Sequence, residues 1–272
     1  MSPANHSCSL VDIGANLSHA AFRHDLEKVV MDAKQAGIKH IIVTGTDLQS
    51  ITSGMEIVRA NEGYMTLTAG FHPHVASQLD PSALVHLERW LADPLIVAAG
   101  EMGLDFNRDY SPRDVQLSAF ISQLELACRV KKPVFLHQRD AHDSFYQLLR
   151  EYRGRLNGGV VHCFTDERRA LFDYLDLDMH IGITGWICDE RRGRHLQELV
   201  SSIPADRLLL ETDAPYLLPR SIVPAPAGRR NEPGFLTEVL NTVARCTGKA
   251  PEQVAAETTA AANKLFNLKL VV

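Results

Sequence analysis

Eight short apolar runs, each continuous rather than alternating, constrain this chain more than any other feature it carries. They are SLVDIGAN (9–16), HIIVTGT (40–46), YMTLTAGFHPH (64–74), LIVAAGEMGLD (95–105), PVFLHQRD (133–140), GGVVHCFT (158–165), MHIGITGW (179–186) and RLLLETDAPY (207–216). A strand with one face in water alternates apolar and polar side chains, whereas a strand covered on both faces does not. The chain between successive runs is long enough for one crossover helix, which parallel neighbours require. Helical patterns occupy the gaps. DLEKVVMDAKQAG sets Leu26, Val29, Val30 and Ala33 on one face and stops at Gly37. SPRDVQLSAFISQLELACRVKK offers Ser111 as N-cap and Pro112 at the first helical position, with Leu117, Phe120, Ile121 and Leu124 on its apolar face. A last helix is expected near 251–266. Strand then helix, repeated eight times, predicts an α/β chain folded as one (β/α)8 TIM barrel over residues 1–272. An open doubly wound sheet is the alternative, but no GxGxxG follows the first run.

Active sites of such barrels lie at the C-terminal ends of the strands. Run three ends in His72 and His74, run four in Glu101 and Asp105, and run five in His137 and Arg139. Run six ends in His162, and run eight in Glu211 and Asp213, while run one ends in Asp12, Gly14 and Asn16. Each residue alone has a plain structural reading. His162 could be a hydrogen-bonded core histidine, Glu101 a helix cap or a partner of Arg139, Asp213 the start of a turn, and His72 a loop residue. Their convergence is the stronger signal. The barrel aims these tips at one central spot, where carboxylates and imidazoles together suit a divalent cation. Such a cation also removes the repulsion between crowded carboxylates.

Composition narrows the function. A net charge of −5 excludes a protein that coats nucleic acid without specificity. The five scattered cysteines form no CxxC pair and read as free thiols. The start MSPANHSCSL lacks the basic and apolar pattern of a leader, and no run reaches the ~18 apolar residues of a membrane span. These readings predict a cytoplasmic protein without a membrane partner.

Six motifs in one order, GEMGLDF, HQRDA, HCFT, ITGWICDERRG, ETDAPYLLP and RRNEP, closely resemble the TatD family of metal-dependent deoxyribonucleases over nearly the whole chain. The resemblance implies a barrel of the metal-dependent hydrolase type with Glu101, His137 and His162 as metal ligands. It leaves Asp213 as a further ligand or as the base that takes a proton from water. Most relatives carry D-x-H-x-H on the first strand, where this chain has Asp12-Ile13-Gly14-Ala15-Asn16. One metal position is therefore expected to be weak or empty. Asn16 can offer an amide oxygen to a hard ion but cannot replace an imidazole for Zn²⁺. The implied cofactor is a divalent cation, Mg²⁺ first, with Mn²⁺ or Zn²⁺ as alternatives. The implied activity is exonucleolytic hydrolysis of single-stranded DNA, and RNA, from the 3′ end, in repair or turnover of nucleic acid.

Arginines near the expected mouth suit phosphate. Arg139, Arg229 and Arg230 are the candidates to bind it, with His72 at the phosphate or the leaving oxygen. Arg191, Arg192 and Arg194 are equally well read as a helix start with local ion pairs. Trp186 and Phe106 could stack on bases or plug the core. The expected partners are ends of single-stranded DNA or RNA, and the chain is expected to be a monomer. Two rival readings remain. A small-molecule amide or ester hydrolase would need a closed apolar pocket, and a binding protein would be built on a decayed metal site.

Overall fold

The computed structural model describes residues 8–270, so most of the chain start read above for a leader lies outside the described residues. Eight parallel strands follow one another around a barrel: β1 (Leu10–Ala15), β2 (Ile38–Val43), β3 (Met65–Ala69), β4 (Ile96–Asp105), β5 (Val134–Arg139), β6 (Gly159–Val161), β7 (His180–Ile183) and β8 (Leu208–Leu210). The last strand returns to the first. Asp213 N donates to Gly14 O at 2.8 Å, Asn16 N donates to Ala214 O at 2.7 Å, and Ala15 bridges Ala214. This closure replaces the open-sheet alternative. Each apolar run of the sequence marks one strand, β2 beginning ahead of its run at Ile38, because a strand between a packed interior and a helical coat has no polar face to show.

The helices are α1 (Leu26–Gln35), α2 (Leu48–Ala60), α3 (Pro81–Leu91), α4 (Arg113–Val130), α5 (His142–Tyr152), α6 (Arg168–Asp176), α7 (Arg194–Leu199), α8 (Leu236–Thr247) and α9 (Pro251–Phe266). The start of α4 differs from expectation. Pro112 is the N-cap, and Ser111 instead donates its hydroxyl to His74 O at 3.2 Å while accepting from Ser77 N. The serine ties two mouth loops together rather than capping a helix.

Two apolar layers hold the fold. The larger lies between strands and helices. The smaller fills the barrel with Val11, Ile13, Ile42, Ala98, Phe135, Val160 and Leu209, and it is floored by Ala261, Ala262 and Phe266 of α9. A fully buried side chain such as Ile13 or Phe135 contributes about 1.5–3 kcal/mol. With the floor sealed by α9, polar side chains collect at the opposite rim, where the strands end.

Candidate metal centre at the barrel mouth

Glu101 reaches the mouth because β4 carries an extra residue against β5. Ala99 pairs with Val134 and Met102 with Leu136, so three steps on β4 match two on β5. Such a bulge re-aims a side chain. Two glycines make it feasible. Gly100 has φ +139, and a Cβ there would lie 2.1 Å from Phe135 O. Gly103 has φ +149, and its Cβ would lie 1.8 Å from His137 O. No other residue type tolerates both the angle and the approach.

Three imidazole nitrogens converge on one oxygen of that carboxylate. Glu101 Oε1 lies 2.7 Å from His162 Nε2, 3.0 Å from His137 Nδ1 and 3.2 Å from His72 Nε2. Two of the rings are backed by further acids: His137 Nε2 lies 3.3 Å from Asp105 Oδ2, and His162 Nδ1 lies 3.2 Å from Glu211 Oε2. Asp105 also accepts from His74 Nε2 at 2.8 Å. The expected companions Glu101, His137 and His162 are thus brought together. His72, expected at the substrate, sits within the cluster itself. Among the described residues Glu101 caps no helix and does not pair with Arg139.

Electrostatics follow from these neighbours. Burial alone would raise Glu101, but the charges of His162 and His72 hold it well below the usual carboxylate range. Asp105 is likewise held far down, burial being overcome by His137 and His74. Burial opposes the charge on His137 and His162, yet the carboxylates beside them raise both. His72, with burial as its main influence, falls to about 4.

Two glutamines of α4 fasten the strand ends beneath this cluster, and the sequence reading did not single them out. Gln123 accepts from Phe71 N at 2.7 Å and donates to Phe71 O at 3.1 Å. Gln116 does the same to Asp105, accepting at 2.8 Å and donating at 3.1 Å. Both side chains are buried, where an unpaired amide would be costly, so each is matched to its strand end. A polar residue inside the apolar stripe of a helix was the available signal.

The β8–β1 side is built differently. Asp12 points away from the cluster and accepts from Thr212 N at 2.9 Å and Thr212 Oγ1 at 2.6 Å, holding the barrel seam. Burial pushes it up to about 7 despite those donors. The space above Gly14 is filled by Glu211: a Cβ on Gly14 would meet Glu211 Oε2 at 2.6 Å. Asn16 Nδ2 donates to Asp213 Oδ1 at 3.0 Å. Asp213 also begins a turn, its carbonyl accepting from Tyr216 N at 3.0 Å. Burial, reinforced by Glu101 and Glu211 and offset by His162, pushes its carboxyl up to about 7.

The arginines divide. Arg230 is committed: it donates to Asp25 at 2.9 and 2.7 Å and to Glu232 at 2.7 Å, pinning the long loop after β8 to the segment before α1. Its guanidinium is occupied by structure rather than held open for phosphate. Arg191 and Arg192 pair with the buried Asp189, and Arg192 covers the Trp186 ring at 4.4 Å. Arg113 covers Phe106 at 4.6 Å. Neither aromatic side chain of that expectation offers a bare face. Arg139 and Arg229 make no side-chain hydrogen bond or ion pair with another described residue.

A family model described as TatD related DNase matches residues 11–267. The chain belongs to the TatD family. A TatD relative from Erwinia billingiae, described as a 3′-5′ ssDNA/RNA exonuclease, is 48% identical over 95% of this chain and 99% of its own length. The Klebsiella pneumoniae relative of the same description is 45% identical over 95% of this chain and 98% of its own length. The crystal structure of a TatD homologue from Escherichia coli K12 superposes with a TM-score of 0.86 at 27% identity, covering 96% of this chain and 98% of that one.

The TatD centre fits a divalent ion by its donor chemistry. His72, Glu101 and His137 each present one ligand atom, all within 4.8 Å of one another. Asp105 behind His137 and Glu211 behind His162 give the carboxylate–histidine pairing that fixes ring orientation in metal sites. Among the described residues no helix is long and apolar enough to cross a membrane.

Proposed function

We propose that this TatD family member is a metal-dependent exonuclease that removes nucleotides from the 3′ ends of single-stranded DNA and RNA. The observation that carries the reading is the meeting of three imidazoles on Glu101 at the open end of the barrel. The description shared by the Erwinia and Klebsiella relatives supports the substrate and the direction.

Glu101, His137 and His162 hold the ion, with His72 as a fourth donor or as a contact to phosphate. Mg²⁺ or Mn²⁺ is the working ion, and the nitrogen content of the site brings Mn²⁺ level with Mg²⁺. When bound, the ion supplies positive charge to a phosphoryl oxygen and acidity to an attacking water. Asp213 takes the proton from that water, and Asn16 holds its carboxylate in place. Arg139 and Arg229, free of ion-pair partners among the described residues, steady the phosphate backbone. The chain acts as a cytoplasmic monomer in turnover or repair of nucleic-acid ends. Retention of Glu101, His137, His162 and Asp213 in one chain speaks against a decayed, purely binding site.

The test is a 5′-labelled single-stranded oligonucleotide incubated with Mg²⁺ or Mn²⁺. Stepwise shortening from the 3′ end, lost in Glu101→Ala, supports the reading. An oligonucleotide left intact with every divalent ion overturns it.

A further inference from the structure

Beside the metal centre, on the β8–β1 side of the mouth, lies a cavity of about 230 Å³. Its wall includes Asn16, Ser18, His19, Gln49, Ser53 and Tyr216. Asn16 belongs to both places, since the same side chain donates to Asp213. The volume lies below the roughly 300–1,000 Å³ of pockets for drug-sized ligands and admits one small ring system.

Three features define what fits. First, no Lys or Arg lines the cavity, and its one acid, Asp47, caps α2 by accepting from Ser50 N at 2.6 Å. An anionic phosphate would find no cation there. Second, Tyr216 is 52% exposed, in contrast to the covered Trp186 and Phe106, and meets His19 edge-on at 5.7 Å between ring centres. One aromatic face is left to a ligand. Third, the hydroxyls of Ser18 and Ser53 and the amide of Gln49 make no hydrogen bond to another described residue, and neither does Asn16 Oδ1. Donors and acceptors without charge, next to a bare aromatic face, match a neutral heterocycle.

We infer that this cavity is a subsite for the base of the 3′-terminal nucleotide, stacked on Tyr216 and hydrogen-bonded by the neutral groups opposite. The inference rests on the exonuclease reading for the identity of the substrate. It gives the β8–β1 side of the mouth a task other than holding metal. A phosphodiester poised between Glu101 and Asp213 places its neighbouring nucleoside against Asn16, and from there into the cavity.

The experiment compares two single strands, one with a normal 3′ nucleotide and one ending in a reduced abasic sugar, in Mn²⁺. The unaltered protein should favour the normal terminus by about tenfold in kcat/KM, as one stacked base provides. Tyr216→Ala should bring that preference to within about twofold, and Tyr216→Phe should keep it, because the hydroxyl has no described partner. Equal kcat/KM for both termini with the unaltered protein, or a preference that survives Tyr216→Ala, overturns the subsite. A strand ending in 2-aminopurine gives a readout independent of cleavage. Its fluorescence should be quenched on binding to the unaltered protein and not to Tyr216→Ala. If the unaltered protein shortens neither strand, the nuclease reading has failed. Quenching under those conditions still supports the subsite, and a strand that binds unquenched removes it.

Discussion

Glu101 and Asp105 on the β4 side of the mouth, and Asp12 and Asp213 on the β8–β1 side, are acids drawn from water and treated in opposite ways. On the β4 side the partners are imidazoles, joined at Asp105 by the backbone N–H groups of Asn107 and Arg108, and both carboxyls are driven down. On the other side the partners are a hydroxyl, backbone N–H groups and an amide, and both carboxyls are pushed up to about 7 by burial. An imidazole can give up a proton and present a nitrogen lone pair to a cation, whereas an amide N–H cannot, and the Thr212 hydroxyl is already spent on Asp12. The first side is therefore fit to hold an ion. The second is fit to close the barrel, to accept a proton and to receive uncharged parts of a substrate.

The comparison breaks most readily at Glu101. Glu101→Ala should weaken divalent-metal binding by more than about a hundredfold in calorimetric titration, since even partners behind the ligands are worth 10–100-fold. Affinity within tenfold of the unaltered protein would shift the ion off the β4 side. The proton acceptor comes next. Asp213→Asn should slow 3′-end cleavage by about a hundredfold while leaving metal affinity nearly unchanged. Because a base works ionised, cleavage by the unaltered protein should fall as pH drops below about 7. A dication held nearby draws that limb to lower pH. The limb should vanish in the Asn variant.

A sharper distinction comes from the supporting residues. Asp105→Asn, which unseats His137 and His74, should cost about 10–100-fold in metal affinity. Its counterpart across the mouth, Gly14→Ala, should spare metal affinity but destabilise the fold by about 1–3 kcal/mol in urea titration. The new methyl would press on Glu211, whose carboxylate is fixed by Cys163 N and His162. If Gly14→Ala instead lowers metal affinity as much as Asp105→Asn does, the two sides are not separate in function.

Much of this was legible in the chain. The strands fall within the continuous apolar runs except β2, which begins ahead of its run at Ile38, and α9 spans the residues expected of it. His162 and Asp213 follow β6 and β8 by one and three residues, whereas Glu101 and His137 lie within β4 and β5, and Glu101 reaches the mouth through the bulge. What the pattern missed lies in pairings across long sequence distances. His72 and His74 follow β3 by only a few residues, yet their neighbours come from β4 and β5. Arg230 looked available for phosphate until the loop after β8 brought it to Asp25. Gln116 and Gln123 looked like ordinary helix residues, and Asp12 looked like the start of a site.

The sequence by itself determined the alternation of buried strands and helices, and with it a rim where acids and imidazoles must gather. Burial patterns are local and repeat along the chain, so they survive in one dimension. Only the tertiary structure decided that three imidazoles share one oxygen of Glu101, that Asp12 holds a seam, and that Glu211 fills the space over Gly14. Those outcomes depend on distances of about 3 Å between residues tens to hundreds of positions apart, set by a one-residue bulge in β4 and by the closure of β8 on β1.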